Sequence, residues 1–134
     1  MKYDSDDVDT AARTAWGEAR GDGILGMLAV IWVIYNRARD NRWPDSPAGV
    51  ARQPWQFSVW NQDDPNRIKI EQLSGNDELF NAAKGMARAI FDGQGGEDPT
   101  MGADHYFALW IDMPPWADQM TQTTEIGSHR FLKS

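Results

Sequence analysis

One acidic residue, Glu18, stands in an unusual setting for a charged side chain. It lies near the end of a predicted helix, in the stretch TAWGEARGDG (residues 14–23), among small and apolar residues and before a glycine-rich break. A carboxylic acid beside apolar groups loses hydration of its charged form, which raises its pKa and lets it hold a proton near neutrality. Such a group can act as a general acid. The alternative is an ordinary helical acid paired with Arg13 or Arg20.

A second segment, WQFSVW, has the residue types that bind sugar chains. Polysaccharide sites combine flat aromatic faces with amides and hydroxyls, and this segment offers both within six residues. The alternation of side chains places Gln56 and Ser58 opposite Phe57, which we expect in the core. Trp55 and Trp60 fit either core packing or ligand contact. We take Gln56, Ser58 and Trp60 as candidate substrate-binding residues.

A third segment, GADHYF, adds three candidate binding residues near the middle of the second half of the chain. Tyr106 can stack on a ligand or donate a hydrogen bond to it. Asp104 can bind a sugar amide or hydroxyl, adjust the pKa of Glu18, or pair with Arg130. His105 fits either a ligand contact or a hydrogen-bonded structural role.

The elements that must position these residues are mainly helices. Apolar residues at helical spacing predict a first helix from an N-cap at Ser5 or Asp6 to a stop at Gly21. A second helix over 24–39 is apolar nearly all round, as in a central core helix. A third helix begins at residue 76 or 77 and ends at residue 91, with one apolar face.

The connecting segments carry weaker signals. Ser46 and Pro47 predict the N-cap and first position of a short helix that runs to residue 52. Residues 53–67 mix aromatics, amides and prolines without a helical period, which indicates a loop or short irregular strands. Residues 94–134 are rich in glycine, proline and aromatics. We therefore expect a mainly α fold of the α+β type, with long loops and at most a small β-hairpin or sheet.

The composition excludes several classes of protein. The formal charge is −7 without a basic stripe, so nucleic acid is not an expected partner. Cysteine is absent, and His105 and His129 lie too far apart for a local zinc motif, so we expect neither a metal nor a cofactor. The apolar run 24–35 is shorter than the roughly 20 residues that cross a bilayer, so stable membrane insertion is not expected. We expect one monomeric domain over residues 1–134.

The order of several motifs resembles one known family. The motifs are WGEARGDG, MLAVIWVIYNR, QFSVW, DPTMGADHYF, PPWA and IGSHRF, and the resemblance extends over residues 8–131. The chain resembles the catalytic domain of the spore-cortex-lytic enzyme, or cell-wall hydrolase, family, which implies a lysozyme-like fold. Members commonly carry threonine or another uncharged residue at the position of Asp104. The resemblance places Gln56, Phe57 and Ser58 beside the cleft. For His129 we favour structural support over catalysis.

The resemblance implies cleavage of the β-1,4 bond between N-acetylmuramic acid and N-acetylglucosamine in peptidoglycan. Glu18, in GEARG, matches the family's catalytic glutamate and would protonate the departing oxygen as the transition state becomes oxocarbenium-like. In a lytic transglycosylase, Glu18 then acts as base on the muramic 6-hydroxyl, which closes a 1,6-anhydro ring. In a muramidase, water attacks and a second carboxylate stands roughly 5 to 9.5 Å away. The candidates by sequence are Asp22, Asp63, Asp104 and Asp112, although Asp22 also suits the N-cap of the second helix.

The N-terminal stretch MKYDSDDVDT lacks the apolar core of a secretory signal. We therefore expect synthesis in a cytoplasm without a signal peptide, and a phage-type endolysin that reaches the bacterial cell wall after release through a holin. We expect the chain to be a single catalytic domain without a separate wall-binding module. The alternative is a non-catalytic glycan-binding or morphogenetic domain on a lysozyme-like scaffold.

Overall fold

The structure, a computed structural model of residues 1–134, contains five α-helices, three short 3-10 turns and one three-stranded sheet. The α-helices are α1 (Ser5–Ala19), α2 (Gly23–Ala38), α3 (Pro47–Ala51), α4 (Pro65–Glu71) and α5 (Glu78–Phe91), and the strands are β1 (His105–Ala108), β2 (Thr121–Ile126) and β3 (His129–Lys133). The 3-10 turns cover Arg20–Asp22, Ser58–Trp60 and Pro115–Ala117. The expected mainly α fold with a small sheet is confirmed.

Helix α2 is the centre of the core. It packs against α1, α3 and α5, and its residues from Met27 to Tyr35 are buried except for Leu28. A helix that is apolar nearly all round can bury its whole surface only with neighbours on every side. The central buried helix predicted over 24–39 is therefore confirmed, displaced by one residue at each end.

The start of α1 is fixed by a pair of acids outside the predicted cap. The Asp4 carboxylate accepts a hydrogen bond from the Asp7 amide at 3.0 Å, and the Asp7 carboxylate accepts one from the Asp4 amide at 3.0 Å. This capping box makes Asp4 the N-cap in place of the predicted Ser5 or Asp6. The other oxygen of Asp7 accepts from the Ala48 amide, which attaches α3 to α1.

The predicted start of α3 is confirmed, whereas α4 was missed. Ser46 accepts a hydrogen bond from the Gly49 amide at 3.1 Å, and Pro47 occupies the first turn. Residues 53–67 contain the beginning of α4, whose N-cap Asp64 accepts from the Asn66 amide. Helix α4 is seven residues long and buries only Ile70 within it, so its sequence carries almost no apolar period.

The sheet lies at the C-terminal end of the chain and is antiparallel in the order β1-β3-β2. Tyr106 pairs with Phe131 in the register of β1 and β3. Gly127, in the turn between β2 and β3, has φ +56, and a Cβ there would lie 2.6 Å from the Asp22 carboxyl carbon. Glycine therefore permits both the turn and its close approach to the α1–α2 junction.

None of the helices combines the length and apolar character that crossing a membrane requires.

Candidate active site

Glu18 lies in the last turn of α1 and borders a small cavity of about 170 Å³. The cavity is formed where α1, α2, the 55–58 loop and β1 meet. Its lining residues are Glu18, Arg37, Trp55, Gln56, Phe57, Ser58 and Tyr106. Of the predicted site residues, the structure thus brings Glu18, Gln56, Ser58 and Tyr106 together. Glu18 is the one carboxylate among the lining residues.

Burial raises the pKa of the Glu18 carboxyl from 4.5 to about 7. Hydrogen bonding from the Val59 backbone amide opposes this shift, and the negative charge of Asp64 adds to it. The Tyr106 hydroxyl and the Ser58 amide also hold the pKa down, by hydrogen bonding to the charged form. Near neutral pH the carboxyl is therefore divided between its protonated and ionised forms, which suits a group that must both give and take a proton.

The alternative role of Glu18 in an ion pair is not observed. The Arg13 guanidinium lies 2.7 Å from the Asp9 carboxylate, one turn away on the outer side of α1. Arg20 donates to the Asn66 side chain at 2.9 Å, and its guanidinium carbon lies 4.0 Å from the centre of the Trp16 ring. Neither arginine pairs with Glu18.

Gly17 explains how the loop reaches Glu18. A Cβ at Gly17 would lie 2.8 Å from Val59 Cγ1 and 3.0 Å from Ile70 Cγ2, closer than side-chain carbons pack. The absent side chain lets the Ser58–Trp60 turn pack directly on α1, which brings the Val59 amide to the carboxylate. The space beside Gly17 is therefore filled by the protein itself and is not open to a substrate.

Tyr106 is held by contacts with two aromatic rings. Its ring centre lies 5.5 Å from that of Phe131 and 5.0 Å from that of His129, the latter in an edge-to-face contact. Burial and the charge of Glu18 raise the pKa of the Tyr106 hydroxyl well above its usual range, against the opposing effect of Arg37. The hydroxyl therefore stays protonated and available as a hydrogen-bond donor to Glu18.

His129 is in turn fixed by Asp22. The Asp22 carboxylate accepts hydrogen bonds from the Ser128 amide and hydroxyl at 3.2 and 2.8 Å and lies 3.2 Å from His129 Nδ1. Burial lowers the pKa of His129, although the Asp22 charge opposes the shift. Asp22 occupies the N-cap position of α2, as predicted, but its side chain makes no capping hydrogen bond to the start of the helix. The side chain attaches the β2–β3 turn to the α1–α2 junction.

Arg37 was missed by the sequence analysis. It is 5% exposed at the end of α2, where its Nε donates to the Asp104 carbonyl at 2.7 Å and its Nη1 donates to Gln56 Oε1 at 3.3 Å. The second contact fixes the amide of Gln56 at the cavity wall. Helical spacing could have predicted the burial of Arg37, because Arg37 follows the buried residues Val30 and Val33 by seven and four positions and so lies on the same face of α2.

Trp60 lies outside the Glu18 cavity. Its indole N–H donates to Thr14 Oγ1 at 2.8 Å, and its ring borders a neighbouring cavity that also includes Trp55. The sequence left the roles of both tryptophans open. The structure places Trp60 partly against the core and Trp55 between the two cavities.

Asp104 and His105 also lie away from Glu18. The Asp104 carboxylate accepts from the Ser134 amide and hydroxyl, both at 2.9 Å, and lies 2.8 Å from His105 Nδ1. Successive residues of a strand face opposite sides, so His105 is directed away from the cavity that Tyr106 lines. The pairing of Asp104 with Arg130 is not observed, since Arg130 pairs with Glu125.

The four candidates for a second carboxylate are all absent from the Glu18 cavity. Asp22 and Asp104 are engaged in the contacts described above. Asp63 is exposed and borders the neighbouring cavity, and Asp112 is exposed in the loop after β1. The acid whose charge does reach Glu18 is Asp64, which the sequence did not single out.

Two solved structures are similar to this chain over nearly its full length. The catalytic domain of the Bacillus cereus SleB protein is 30% identical, with a TM-score of 0.75 and coverage of 98% of this chain and 93% of that chain. The catalytic domain of the germination-specific lytic transglycosylase SleB from Bacillus anthracis is also 30% identical, with a TM-score of 0.72 and coverage of 98% and 97%. The predicted resemblance and its fold are confirmed.

Curated relatives include the spore cortex-lytic enzymes of Halalkalibacterium halodurans, 29% identical over 129 residues, and of Oceanobacillus iheyensis, 30% identical over 131 residues. These matches cover 96% and 98% of this chain but 35% and 43% of the relatives, so the chain spans less than half their length. Because these relatives are spore cortex-lytic enzymes, the expected location of a phage endolysin that reaches the cell wall through a holin is wrong.

A sequence model of one family matches most of the chain. The Cell Wall Hydrolase family covers residues 21–132, a range that includes every lining residue of the cavity except Glu18. Glu18 falls within the longer matches to the solved structures, which cover 98% of the chain. By its sequence and its fold, this chain belongs to the Cell Wall Hydrolase family.

Proposed function

We propose that the chain is a lytic transglycosylase domain that cleaves the β-1,4 bond between N-acetylmuramic acid and N-acetylglucosamine in peptidoglycan, with Glu18 as both acid and base. The observation that carries the proposal is the single carboxylate in the cavity, which burial brings to a pKa of about 7. The absence of a second carboxylate from the lining favours this reaction over hydrolysis by a paired-acid mechanism. The name of the Bacillus anthracis relative supports the same reaction class.

The reaction needs two proton transfers through one side chain. Protonated Glu18 gives its proton to the glycosidic oxygen, the bond from that oxygen to muramic C1 breaks, and the oxygen leaves as the 4-hydroxyl of N-acetylglucosamine. The Glu18 carboxylate then takes the proton of the muramic 6-hydroxyl, whose oxygen bonds to C1 and closes a 1,6-anhydro ring. The carboxyl regains its proton and no water is consumed.

The surrounding groups assist the charged form of Glu18 between these steps. The Val59 and Ser58 amides and the Tyr106 hydroxyl hydrogen-bond to the carboxylate and keep its pKa from rising further. Such fixed donors stabilise charge without reorganising during the reaction. Gln56, held by Arg37, is placed to hydrogen-bond to the hydroxyl or acetamido groups of the sugar.

The test is the release of soluble glycan fragments from purified peptidoglycan, beginning with spore cortex because the curated relatives are cortex-lytic enzymes. We expect release by the wild type, and loss of release in Glu18→Gln by at least about 100-fold, the usual scale for general acid–base catalysis. Glu97→Gln is the matched control, because Glu97 is exposed in a loop away from the cavity. Wild-type protein that binds glycan without releasing fragments would favour a glycan-binding domain instead.

A further inference from the structure

Trp55 occupies an unfavourable backbone conformation and exposes its side chain. Its φ is +67, in the left-handed region that L residues rarely adopt, and 82% of its surface is exposed. Glycine would adopt this conformation without strain, and a polar residue would be better solvated. Strained residues of this kind cluster at functional sites, so the large ring at this position calls for a role other than local stability.

The ring stands between two cavities. Trp55 borders the Glu18 cavity of about 170 Å³ and a second cavity of about 620 Å³. Sites for small organic ligands typically measure about 300–1,000 Å³, so the Glu18 cavity alone is too small to hold both sugars that flank a cleaved bond. The second cavity has the required size, and Trp55 is the residue that both cavities share.

The second cavity is bordered by an immobilised tryptophan ring and by residues with polar side chains. The Trp60 indole is held by Thr14, and the guanidinium carbons of Arg52 and Arg67 lie 5.6 and 5.5 Å from the centre of its ring. The same cavity is bordered by Asn61 and Gln62, two residues that carry side-chain amides. Amides can pair with both the carbonyl and the N–H of an acetamido group.

We infer that the second cavity is a saccharide subsite, in which an N-acetylated sugar next to the cleaved bond stacks its apolar face on Trp55. This inference rests on the proposed function and extends it. Trp55 presents an exposed aromatic face continuous with the Glu18 cavity, and Asn61 and Gln62 supply hydrogen bonds for the acetamido and hydroxyl groups. The glycan strand then runs from the reacting bond at Glu18 across Trp55.

The substitution Trp55→Gly tests the subsite without threatening the fold, because glycine relieves the backbone strain. Met101→Gly is the matched control: Met101 has φ +58 and is 66% exposed, yet it borders neither cavity. Binding of soluble glycan strands is measured by calorimetry in the Glu18→Gln background, where turnover does not interfere. We expect Trp55→Gly to raise Kd about tenfold, Trp55→Tyr to retain most of the affinity, and Met101→Gly to leave it unchanged.

The outcomes separate this inference from the proposed function. Fragment release by the wild type tests the function, whereas Kd in the Glu18→Gln background tests the subsite. Equal Kd values with and without the Trp55 ring would overturn the subsite even if the wild type releases fragments. A loss of affinity in Trp55→Tyr as large as in Trp55→Gly would also overturn it, because an aromatic face would then not be what the sugar contacts. The absence of any glycan binding by Glu18→Gln would count against the subsite as well.

Discussion

Replacement of Glu18 with glutamine should stabilise the protein by an amount that grows as pH rises and is largest at neutral and alkaline pH. Burial raises the pKa of this carboxyl from 4.5 to about 7, a difference of about 2.5 units. At about 1.4 kcal/mol per pKa unit, the ionised carboxyl lowers the free energy of unfolding by at most about 3.5 kcal/mol. This cost is a large part of the stability of a small domain.

The direction of this pH effect on stability depends on whether the folded or the unfolded state retains the proton of Glu18. Below the unfolded pKa of 4.5 the carboxyl is protonated in both states, so its titration does not affect stability. Between 4.5 and about 7 the folded protein retains a proton that the unfolded chain has lost, and stability falls as pH rises. Above about 7 the full penalty is present. Glutamine is neutral throughout, so its advantage should grow across this window and then level off.

Urea unfolding of the wild type and Glu18→Gln at a series of pH values between about 4 and 8.5 measures this difference. The exposed-site control Glu97→Gln should run parallel to the wild type across the same range. We expect the stability difference between Glu18→Gln and the wild type to increase by about 3 kcal/mol from the acid to the alkaline end. A difference that does not change with pH would refute a carboxyl with a raised pKa.

Three further predictions concern the surroundings of the carboxyl. In the wild type, kcat/KM should fall as pH rises through about 7, because the general acid of the free protein loses its proton. A kcat/KM that stays flat from about pH 6 to 9 would contradict this role of Glu18. Tyr106→Phe removes a hydrogen bond that lowers the pKa of Glu18, so the fall of kcat/KM with rising pH should move to higher pH, and kcat should drop about tenfold. A fall that stays at the same pH would show that the hydroxyl does not contact the carboxylate. Gly17→Ala forces a methyl group against Val59, so it should lower the free energy of unfolding by about 1–3 kcal/mol and should also reduce activity. Gly85→Ala, on an open face of α5, should instead gain about 0.5–1 kcal/mol in thermal or urea unfolding; similar effects of the two substitutions would contradict the tight packing at Gly17.

The helices were predictable where local signals decide the structure. The third predicted helix is confirmed as α5, with Asp77 as its N-cap, and Ser46 and Pro47 begin α3 as expected. Helix α4 was missed because it buries a single residue, so its position depends on packing against α1 and on its Asp64 cap. A segment of that kind has no periodic pattern to detect.

The candidate site likewise contains one residue that the sequence predicts and others that it does not. The setting of Glu18 was visible because its apolar neighbours are adjacent in sequence, and the resemblance to a known family reinforced it. Arg37, Val59 and Asp64 reach the carboxyl or its cavity through contacts between distant segments, which composition and spacing do not reveal. The partners of Asp104 are Ser134 and Arg42, which lie 30 and 62 residues away along the chain, so the tertiary fold decides its surroundings.

Mass spectrometry of the glycan ends that the purified protein releases from peptidoglycan tests the central claim most directly. If Glu18 serves as both acid and base, every new muramic end should be a 1,6-anhydro sugar, lighter by one water than a reducing end. Glu18→Gln should release none. New ends that are fully hydrated, or 1,6-anhydro ends still formed by Glu18→Gln, would contradict the account.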